Sequence, residues 1–356
     1  MLMRILITGG AGFVGSNLAL LFKRDQPASH ITVLDNLKRR GSETNLAAFK
    51  QHGIHFVHGD IRNRSDLDDL EGNFDVLVEA SAEPSVLAGV NGSARYLLDT
   101  NLGGTLNCME FARARAPLVL FLSTSRVFSI APLKEIPLRE EATRFEIDPG
   151  CKLQGVSAAG IAENFPTDRA RSFYGATKLA SELLIHEYVE SAGVKAVINR
   201  CSVIAGPGQF GKVDQGVFTL WAANHFFRKP LKYTGFGGTG KQVRDLLHPA
   251  DLYELLKKQL ERISSCSGQT YNVGGGRPVS TSLLELTSLC RELSGNSVPI
   301  SGVPDSSSVD IPLFLSDSAK VKAQFGWQPR KSPRDIFADI FTWLKSNEAV
   351  LKSIFA

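Results

Sequence analysis

The sequence lacks the long apolar runs and the charge excess that mark membrane and nucleic-acid-binding proteins. No apolar run approaches the ~20 residues that cross a bilayer, and the stretch 117–122 is only as long as a strand. Its 40 basic and 36 acidic residues leave a net charge of +4 that is scattered along the chain, which does not make a basic groove. We therefore expect no nucleic-acid partner and no membrane partner.

Cysteine is also scarce. The five cysteines are odd in number and widely spaced, and no Cys-x-x-Cys pair occurs. This pattern favours buried thiols in a reducing compartment over disulfides or a metal site. An apolar run at Ile5–Ile7 begins after only four residues, which leaves no room for a secretory leader. These features predict a cytoplasmic protein.

The overall composition is that of a folded enzyme. An apolar fraction of 43% with 21% charged residues excludes a disordered chain and a collagen-like or coiled-coil rod. At roughly 100–200 residues per domain, the length allows about two domains. No internal repeat of ~20–50 residues is present.

Up to about residue 200, short apolar segments alternate with amphipathic ones. Predicted strands lie near 4–8, 31–35, 54–58, 74–80, 117–123 and 194–200. Predicted helices lie near 13–24, 43–52, 65–70, 93–115 and 173–192. Because parallel strands need crossover connections, this alternation predicts an α/β fold with a Rossmann-type doubly wound parallel sheet.

After residue 200 the alternation is lost. Gly- and Pro-rich segments mix with helical patterns near 216–227, 249–263, 281–294 and 332–347. This predicts a smaller α+β lobe. We expect the Rossmann domain to occupy 1–200, with the chain returning to it near 243–265, and an interleaved second lobe to occupy most of 201–356.

A glycine-rich turn follows the first predicted strand and opens the first helix. Gly9 suits a tight turn, Gly12 lets backbone N–H groups approach a pyrophosphate, and Gly15 lets the helix pack on the sheet. Phe13 and Val14 complete the first helical turn, where the N–H groups favour an anion. The turn therefore indicates dinucleotide binding, although a turn needed only for packing has the same composition.

Acidic residues follow the second and third predicted strands. Asp35 and Asn36 are placed to bind the ribose hydroxyls, which disfavours a 2′-phosphate and predicts NAD. The cations at 38–40 would instead suit a 2′-phosphate, or simply a solvated loop. Asp60 and Ile61 suit the amine and the face of an adenine, and Asp60 would equally serve as a helix N-cap.

A tyrosine and a lysine lie four residues apart at the start of the helix near 173–192. Tyr174 and Lys178 therefore project from one face, and a nearby cation favours the phenolate form that acts as a general base. Thr124 ends the fifth strand, where ligands bind in doubly wound sheets. These three residues are the predicted catalytic group, with Tyr174 and Lys178 also contacting the cofactor.

Together these motifs resemble those of the extended short-chain dehydrogenase/reductase family of nucleotide-sugar epimerases and dehydratases. The resemblance covers nearly the whole chain and is carried by the Gly9–Gly15 turn, Ser123-Thr124, Tyr174/Lys178, Arg200 with Gly206-Pro207, Arg244-Asp245 and Asn272-Val273-Gly274. It implies an NAD-binding first domain, a nucleotide-sugar-binding second lobe, and further cofactor contacts at Ala80, Ser81, Ala82 and Asn101. It also implies homodimers that pair through the helices near 93–115 and 173–192.

Four longer segments resemble the CDP-paratose 2-epimerases within this family, also called CDP-tyvelose 2-epimerases. They are 81–86, 171–182, 199–211 and 237–248. The resemblance implies tightly held NAD and inversion at C2 of a CDP-linked 3,6-dideoxyhexose. Dehydratases of the family carry an Asp-Glu pair directly after the threonine, where this chain has Ser125 and Arg126, so net dehydration is not expected.

The predicted substrate contacts are Ser85, Thr124, Arg126, Gln209 and Arg244. Arg244 is suited to hold a pyrophosphate by two parallel hydrogen bonds, with Asp245 orienting it; a purely structural Arg-Asp pair is the alternative.

Gln209 lies in a Gly-rich loop with Lys212, Asp214 and Gln215, where a cytosine nucleotide would be covered. A solvated loop would have the same composition.

Two further patterns are interpreted as uninvolved in chemistry. The segment Gly235–Lys241 has the spacing of a P-loop, but Gln242 replaces the Ser or Thr that binds Mg²⁺ and no helix is predicted to follow. His225 and His248 have no second ligand at metal spacing, so no metal is expected.

Two alternatives to a 2-epimerase remain open. A 4-epimerase of a UDP-hexose or UDP-uronate would use the same groups at another carbon. An NAD-sensing scaffold would keep the fold without the chemistry, although it would not need Thr124, Tyr174 and Lys178 together.

Overall fold

The computed structural model describes residues 2–90, 92–211 and 215–355. The strands in these ranges are β1 (Arg4–Thr8), β2 (His30–Asp35), β3 (His55–His58), β4 (Val76–Glu79), β5 (Leu118–Thr124), β6 (Leu138–Glu140), β7 (Phe145–Ile147), β8 (Val156–Ser157), β9 (Gly160–Ile161), β10 (Lys195–Cys201), β11 (Val203–Ile204), β12 (Leu231–Thr234), β13 (Val243–Leu247), β14 (Gln269–Val273), β15 (Ser280–Ser282), β16 (Ile300–Val303) and β17 (Leu313–Phe314).

The α-helices are α1 (Phe13–Asp25), α2 (Leu46–His52), α3 (Arg64–Asp68), α4 (Arg95–Leu98), α5 (Gly104–Arg115), α6 (Ile130–Lys134), α7 (Phe173–Ala192), α8 (Val217–Phe226), α9 (Pro249–Glu261), α10 (Ile263–Cys266), α11 (Leu283–Ser294), α12 (Ala319–Phe325), α13 (Pro333–Ser346) and α14 (Glu348–Ile354). One turn of π-helix, Asp99–Gly103, joins α4 to α5.

The chain divides into two compact units. The first comprises Met1–Val127, Ser172–Arg200 and Leu252–Tyr271, and the second comprises Phe128–Arg171, Cys201–Asp251 and Asn272–Ala356. Each unit has its own apolar core.

A seven-stranded sheet with the order β14-β10-β5-β4-β1-β2-β3 organises the first unit. The pairs β1–β2, β1–β4, β2–β3 and β4–β5 are parallel. Strands such as β4 are buried along their whole length, as expected for a sheet covered on both faces. The α/β fold with a Rossmann-type doubly wound parallel sheet is therefore confirmed, and the six predicted strands all form.

The second unit is built around the mixed arrangement β11-β13-β15, with β17 also paired to β13. The helices α8, α11 and α13 supply much of its core, where Trp221 and Phe337 are buried. α11 begins with a capping box between Ser282 and Glu285, which satisfies the free N–H groups of its first turn.

The second unit also takes in residues 128–171, which the strand pattern placed with the first. It is consequently about as large as the first unit. This segment forms the short hairpins β6–β7 and β8–β9, and strands of two or three residues are too brief to give a periodic pattern.

Across the described ranges, no helix is long and apolar enough to span a bilayer. All five cysteines are free thiols.

Candidate active site

The glycine-rich turn has the shape that a dinucleotide pyrophosphate requires. Gly9 has a φ of 64°, and a Cβ at this position would lie 2.7 Å from the Cα of Ser81. A Cβ on Gly15 would lie 2.3 Å from the Gly9 carbonyl oxygen. Both positions therefore need glycine, because a side chain would collide with the backbone.

The first turn of α1 is open to an anion. Its N-cap residue, Gly12, has no side chain to cap the helix, and no acidic residue lies in the first turn. The N–H groups at Phe13 and Val14 are thus available to the phosphates that helix N-termini favour. The turn and the helix together fit NAD.

Asp35 ends β2 beside this turn. Its carboxylate accepts hydrogen bonds from the backbone N–H groups of Ala11 at 3.1 Å and Leu37 at 2.8 Å. Burial raises the pKa of Asp35 despite these hydrogen bonds. The carboxylate is therefore fixed in position at the end of the strand, next to the helix that would receive the phosphates.

Asp60 lies in a small polar cluster with Asn36 and Arg62. Asn36 donates to its carboxylate at 2.9 Å, and Arg62 pairs with it at 2.6 Å. Burial opposes ionisation, but these partners outweigh it and lower the pKa of Asp60 to about 2. The N-cap of α3 is Asn63, so Asp60 does not cap that helix. Ile61 is buried, and a Cβ on Gly104 would lie 2.3 Å from its Cδ1, so its side chain packs against the start of α5. Its contact with an adenine stays a prediction.

The loop after β4 is fastened to α7 through Asn101. The Asn101 amide accepts from the Glu83 N–H at 2.8 Å and donates to the Glu83 carbonyl and the Thr177 hydroxyl, each at 3.1 Å. Asn101 is 1% exposed, and its side chain joins two elements of the protein. Asn101 therefore ties this loop, which contains Ala80, Ser81 and Ala82, to α7; its contact with the cofactor stays a prediction.

Thr124 and Tyr174 come from different elements of the same unit. Thr124 ends β5, and its hydroxyl oxygen accepts from the Arg126 N–H at 3.2 Å, which leaves the hydroxyl proton to be donated. Tyr174 lies in the first turn of α7 and is half-buried. Ser172 caps that turn by accepting from the Gly175 N–H at 3.1 Å.

Lys178 is the most enclosed member of the predicted catalytic group. It is 1% exposed, and its Nζ lies 3.9 Å from the centre of the Phe121 ring. A cation over an aromatic face is attracted by the ring quadrupole. The ammonium is thus held on the α7 face that also carries Tyr174, four residues earlier.

Residues predicted to contact the substrate lie in both units. In the first unit, Ser85 is half-buried and accepts from the Leu87 N–H at 3.2 Å. In the second unit, Gln209 donates to the Ile204 carbonyl at 3.0 Å and accepts from the Thr219 hydroxyl. Its amide therefore ties the loop to α8.

Lys212 and Asp214 lie outside the described residues.

Arg244 is oriented by Asp310, which the sequence did not suggest. Its guanidinium donates to Asp310 at 2.8 Å and to the Ile311 carbonyl at 2.7 Å. The prediction that Asp245 orients Arg244 is wrong, because consecutive residues of a strand point to opposite faces. Asp245 instead accepts from the N–H groups of Gly276 at 3.0 Å and Ser316 at 3.2 Å.

The P-loop-like segment continues into a strand. Residues 236–238 form a 3-10 turn, and β13 begins two residues after Lys241. Lys241 pairs with Glu140 at 2.8 Å. In the described parts of the chain, no group of three or more His, Cys, Asp or Glu residues is arranged to hold a metal ion.

Glu79 is a second residue that sequence reasoning missed. It is a fully buried carboxyl at the end of β4. The available signal was an acidic residue at the end of the otherwise apolar run Val76–Val78.

Comparison with known proteins agrees with this geometry. Residues 5–274 match the NAD dependent epimerase/dehydratase family. The chain is 31% identical to the CDP-paratose 2-epimerase of Salmonella typhi, over 97% of this chain and 100% of that protein. It is 28% identical to a dTDP-glucose 4,6-dehydratase of Streptomyces niveus, over 98% and 94% of the two chains.

A solved structure has the same fold. The UDP-glucuronic acid 4-epimerase of Bacillus cereus, determined with UDP-glucuronic acid and NAD, superposes with a TM-score of 0.76 at 22% identity, over 97% of this chain and 99% of that one. The chain therefore belongs to the NAD dependent epimerase/dehydratase family.

Proposed function

We propose that this protein is an NAD-dependent nucleotide-sugar epimerase that inverts C2 of a CDP-linked 3,6-dideoxyhexose. The observation that supports the proposal is that Thr124 ends β5 while Tyr174 and Lys178 share one face of α7, with Ser125 and Arg126 where dehydratases have an acid pair. The choice of CDP-paratose and CDP-tyvelose as substrates rests on the similarity to the Salmonella typhi protein.

Tyr174 takes the proton of the C2 hydroxyl, while Thr124 donates a hydrogen bond to the same oxygen. NAD, held by the first unit, would supply reversible acceptance of the C2 hydride. The buried Lys178 ammonium favours the phenolate form of Tyr174, because an opposite charge nearby lowers a phenol pKa. The resulting 2-keto sugar rotates so that its opposite face is reduced, and Tyr174 then returns the proton to the C2 oxygen.

The remaining predicted contacts are assigned by the same proposal. The first unit binds NAD through the Gly9–Gly15 turn, Asp35, Asn36, Asp60 and the loop at 80–82. In the second unit, the proposal assigns Gln209 to the nucleotide and Arg244 to the pyrophosphate. In the first unit, it assigns Ser85 and Arg126 to the sugar. Because the protein holds the substrate mainly by its pyrophosphate, the sugar is free to rotate.

The first unit also carries exposed leucines that suit a homodimer. Leu98 and Leu106 are each 43% exposed, and Leu183 on α7 is 62% exposed. Apolar side chains on neighbouring helices are commonly covered by a second copy. A cytoplasmic location stays a prediction.

Product analysis tests the proposal. The purified protein is incubated in D₂O with CDP-paratose, UDP-glucose or GDP-mannose, and each product is examined by NMR. We expect inversion at C2 of CDP-paratose without deuterium on carbon, since the same hydride returns. Inversion at C4 of UDP-glucose would favour the 4-epimerase. If none of the three nucleotide sugars is converted, the NAD-sensing scaffold would be favoured.

A further inference from the structure

The carboxyl of Glu79 is buried in the interior of the first unit. Glu79 is 0% exposed. Along the sheet it is directly opposite Thr8 on β1 and Phe121 on β5. Neighbouring residues in register share a face of the sheet, so Glu79 stands beside the ring over which the Lys178 ammonium lies.

The Thr105 hydroxyl is the hydrogen-bond partner of the Glu79 carboxyl. Thr105 Oγ lies 2.8 Å from Glu79 Oε1 and 2.7 Å from the Asn101 carbonyl oxygen. A hydroxyl has one proton to donate. If Glu79 is protonated, it can donate to Thr105, which then donates to the Asn101 carbonyl. If Glu79 is ionised, Thr105 can donate to the carboxylate instead, because Ser181 Oγ, 3.1 Å from the Asn101 carbonyl oxygen, can donate there in its place.

The second carboxyl oxygen favours the neutral form. Glu79 Oε2 is buried and has no hydrogen-bond partner, which is costly for an ionised carboxylate. Lys178 acts in the opposite direction by attracting the negative charge. Burial is the larger effect and raises the pKa of Glu79 to about 7, against the influence of Lys178 and Thr105.

Within the described part of the chain, few other groups act on this carboxyl. On α7 the facing charge is Lys178, and on α5 the facing titratable group is Cys108, whose thiol pKa is raised well above its usual range by burial. The strands β1 and β5 present the uncharged Thr8 and Phe121. Near neutral pH, the charge with the main influence on the ionisation of Glu79 is therefore the ammonium of Lys178.

We propose that Glu79 is a positioning residue whose buried carboxyl sets how strongly Lys178 promotes ionisation of Tyr174. In its neutral form Glu79 leaves the full positive charge of Lys178 acting on the phenol. In its ionised form it offsets part of that charge, so that Tyr174 loses its proton at higher pH. This inference rests on the proposed function, in which Tyr174 is the base.

Two substitutions hold this site in the neutral state. Glu79→Gln keeps the shape and donates an amide hydrogen to Thr105. Thr105→Val removes the donor to the carboxylate and thereby favours the protonated acid. Thr105→Ser retains the hydroxyl and serves as the matched control.

The test is a pH titration of the Tyr174 phenolate, followed by near-ultraviolet absorbance of the holoenzyme and corrected with Tyr174→Phe. Removing a buried anion lowers the pKa of a nearby phenol, and we expect Glu79→Gln and Thr105→Val to move the midpoint down by about one pH unit. The wild-type curve spreads over a wider pH range because two ionisations are coupled. Thr105→Ser should follow the wild type.

The outcomes separate this inference from the proposed function. An unchanged midpoint in both neutral variants, with Tyr174→Phe inactive, would overturn the role of Glu79 alone. If Glu79→Gln does not fold, the midpoint of the Tyr174 titration in Thr105→Val tests the role of Glu79 instead. Full turnover by Tyr174→Phe would overturn the proposed function itself.

Discussion

Arg200 holds both carboxylate oxygens of Glu182, with Nε 3.1 Å from each oxygen and Nη2 2.7 Å from Oε2. Both side chains are buried, and Ser123 adds a hydroxyl hydrogen bond to the same carboxylate. Glu182 lies on α7 four residues after Lys178, and Ser123 precedes Thr124. Glu182 therefore fastens the helix that carries Tyr174 to β10 through Arg200, and to the end of β5 that carries Thr124 through Ser123.

Glu182→Gln should destabilise the protein strongly, because it leaves the Arg200 guanidinium buried without its counter-charge. Breaking one partner of a buried pair costs about 3–5 kcal/mol, measurable by urea unfolding. The exposed pair Glu292–Arg334 offers the control: Glu292→Gln should leave the unfolding midpoint unchanged. Equal midpoints for Glu182→Gln and wild type would show that the buried pair does not hold α7 in place.

The stability of the protein should depend on the protonation of Glu79. The pKa of this carboxyl is raised to about 7 from 4.5, so its protonated form stabilises the fold below pH 4.5 and that contribution is lost as the pH rises to 7. The difference is on the order of 3 kcal/mol. Glu79→Gln should therefore become more stable relative to wild type across this range, as followed by chemical unfolding at several pH values. A constant difference would contradict the raised pKa.

Asp35→Asn should weaken NAD binding and relax the choice of cofactor. Asparagine has one acceptor oxygen, so it keeps the hydrogen bond from either Ala11 or Leu37 but not both. It also loses the charge that binds ribose hydroxyls and repels a 2′-phosphate. We expect NAD affinity to fall about tenfold while NADP affinity rises, both measured by titration calorimetry. Asp25→Asn, on the exposed end of α1, is the control. Unaltered affinities for both cofactors would remove Asp35 from the ribose site.

Leu183→Glu should convert the proposed homodimer into monomers. The substitution places a charge on the exposed face of α7, and burying an unpaired charge in an interface is strongly unfavourable. Sedimentation analysis measures the mass of the protein in solution and so distinguishes monomer from dimer. Leu153→Glu, an exposed leucine of the second unit, should remain dimeric. A monomeric wild-type protein would refute the assignment.

The sequence was most informative where the structure is regular. The strands were predicted from apolar runs such as Ile5–Ile7, and the helices from amphipathic patterns such as the one over Phe173–Ala192. Both patterns arise because the side chains that are buried in or against the sheet are apolar. Local spacing also placed Tyr174 and Lys178 on one helix face. Such features depend only on residues near each other in the chain.

Long-range pairings were not predictable in this way. Asp310 reaches Arg244 from 66 residues away, and Thr105 reaches Glu79 from 26 residues away. The π-helical turn at Asp99–Gly103 leaves no pattern that distinguishes it from the surrounding helix. These contacts arise from the folded chain, so only the structure revealed them.

The most direct measurement follows the hydrogen at the reacting carbon. CDP-paratose carrying deuterium at C2 is converted in ordinary water, and the C2 position of the CDP-tyvelose formed is examined by NMR. The account predicts that the deuterium remains at C2 in the inverted sugar, because the hydride leaves and returns within one active site. Replacement of that deuterium by solvent hydrogen would contradict it.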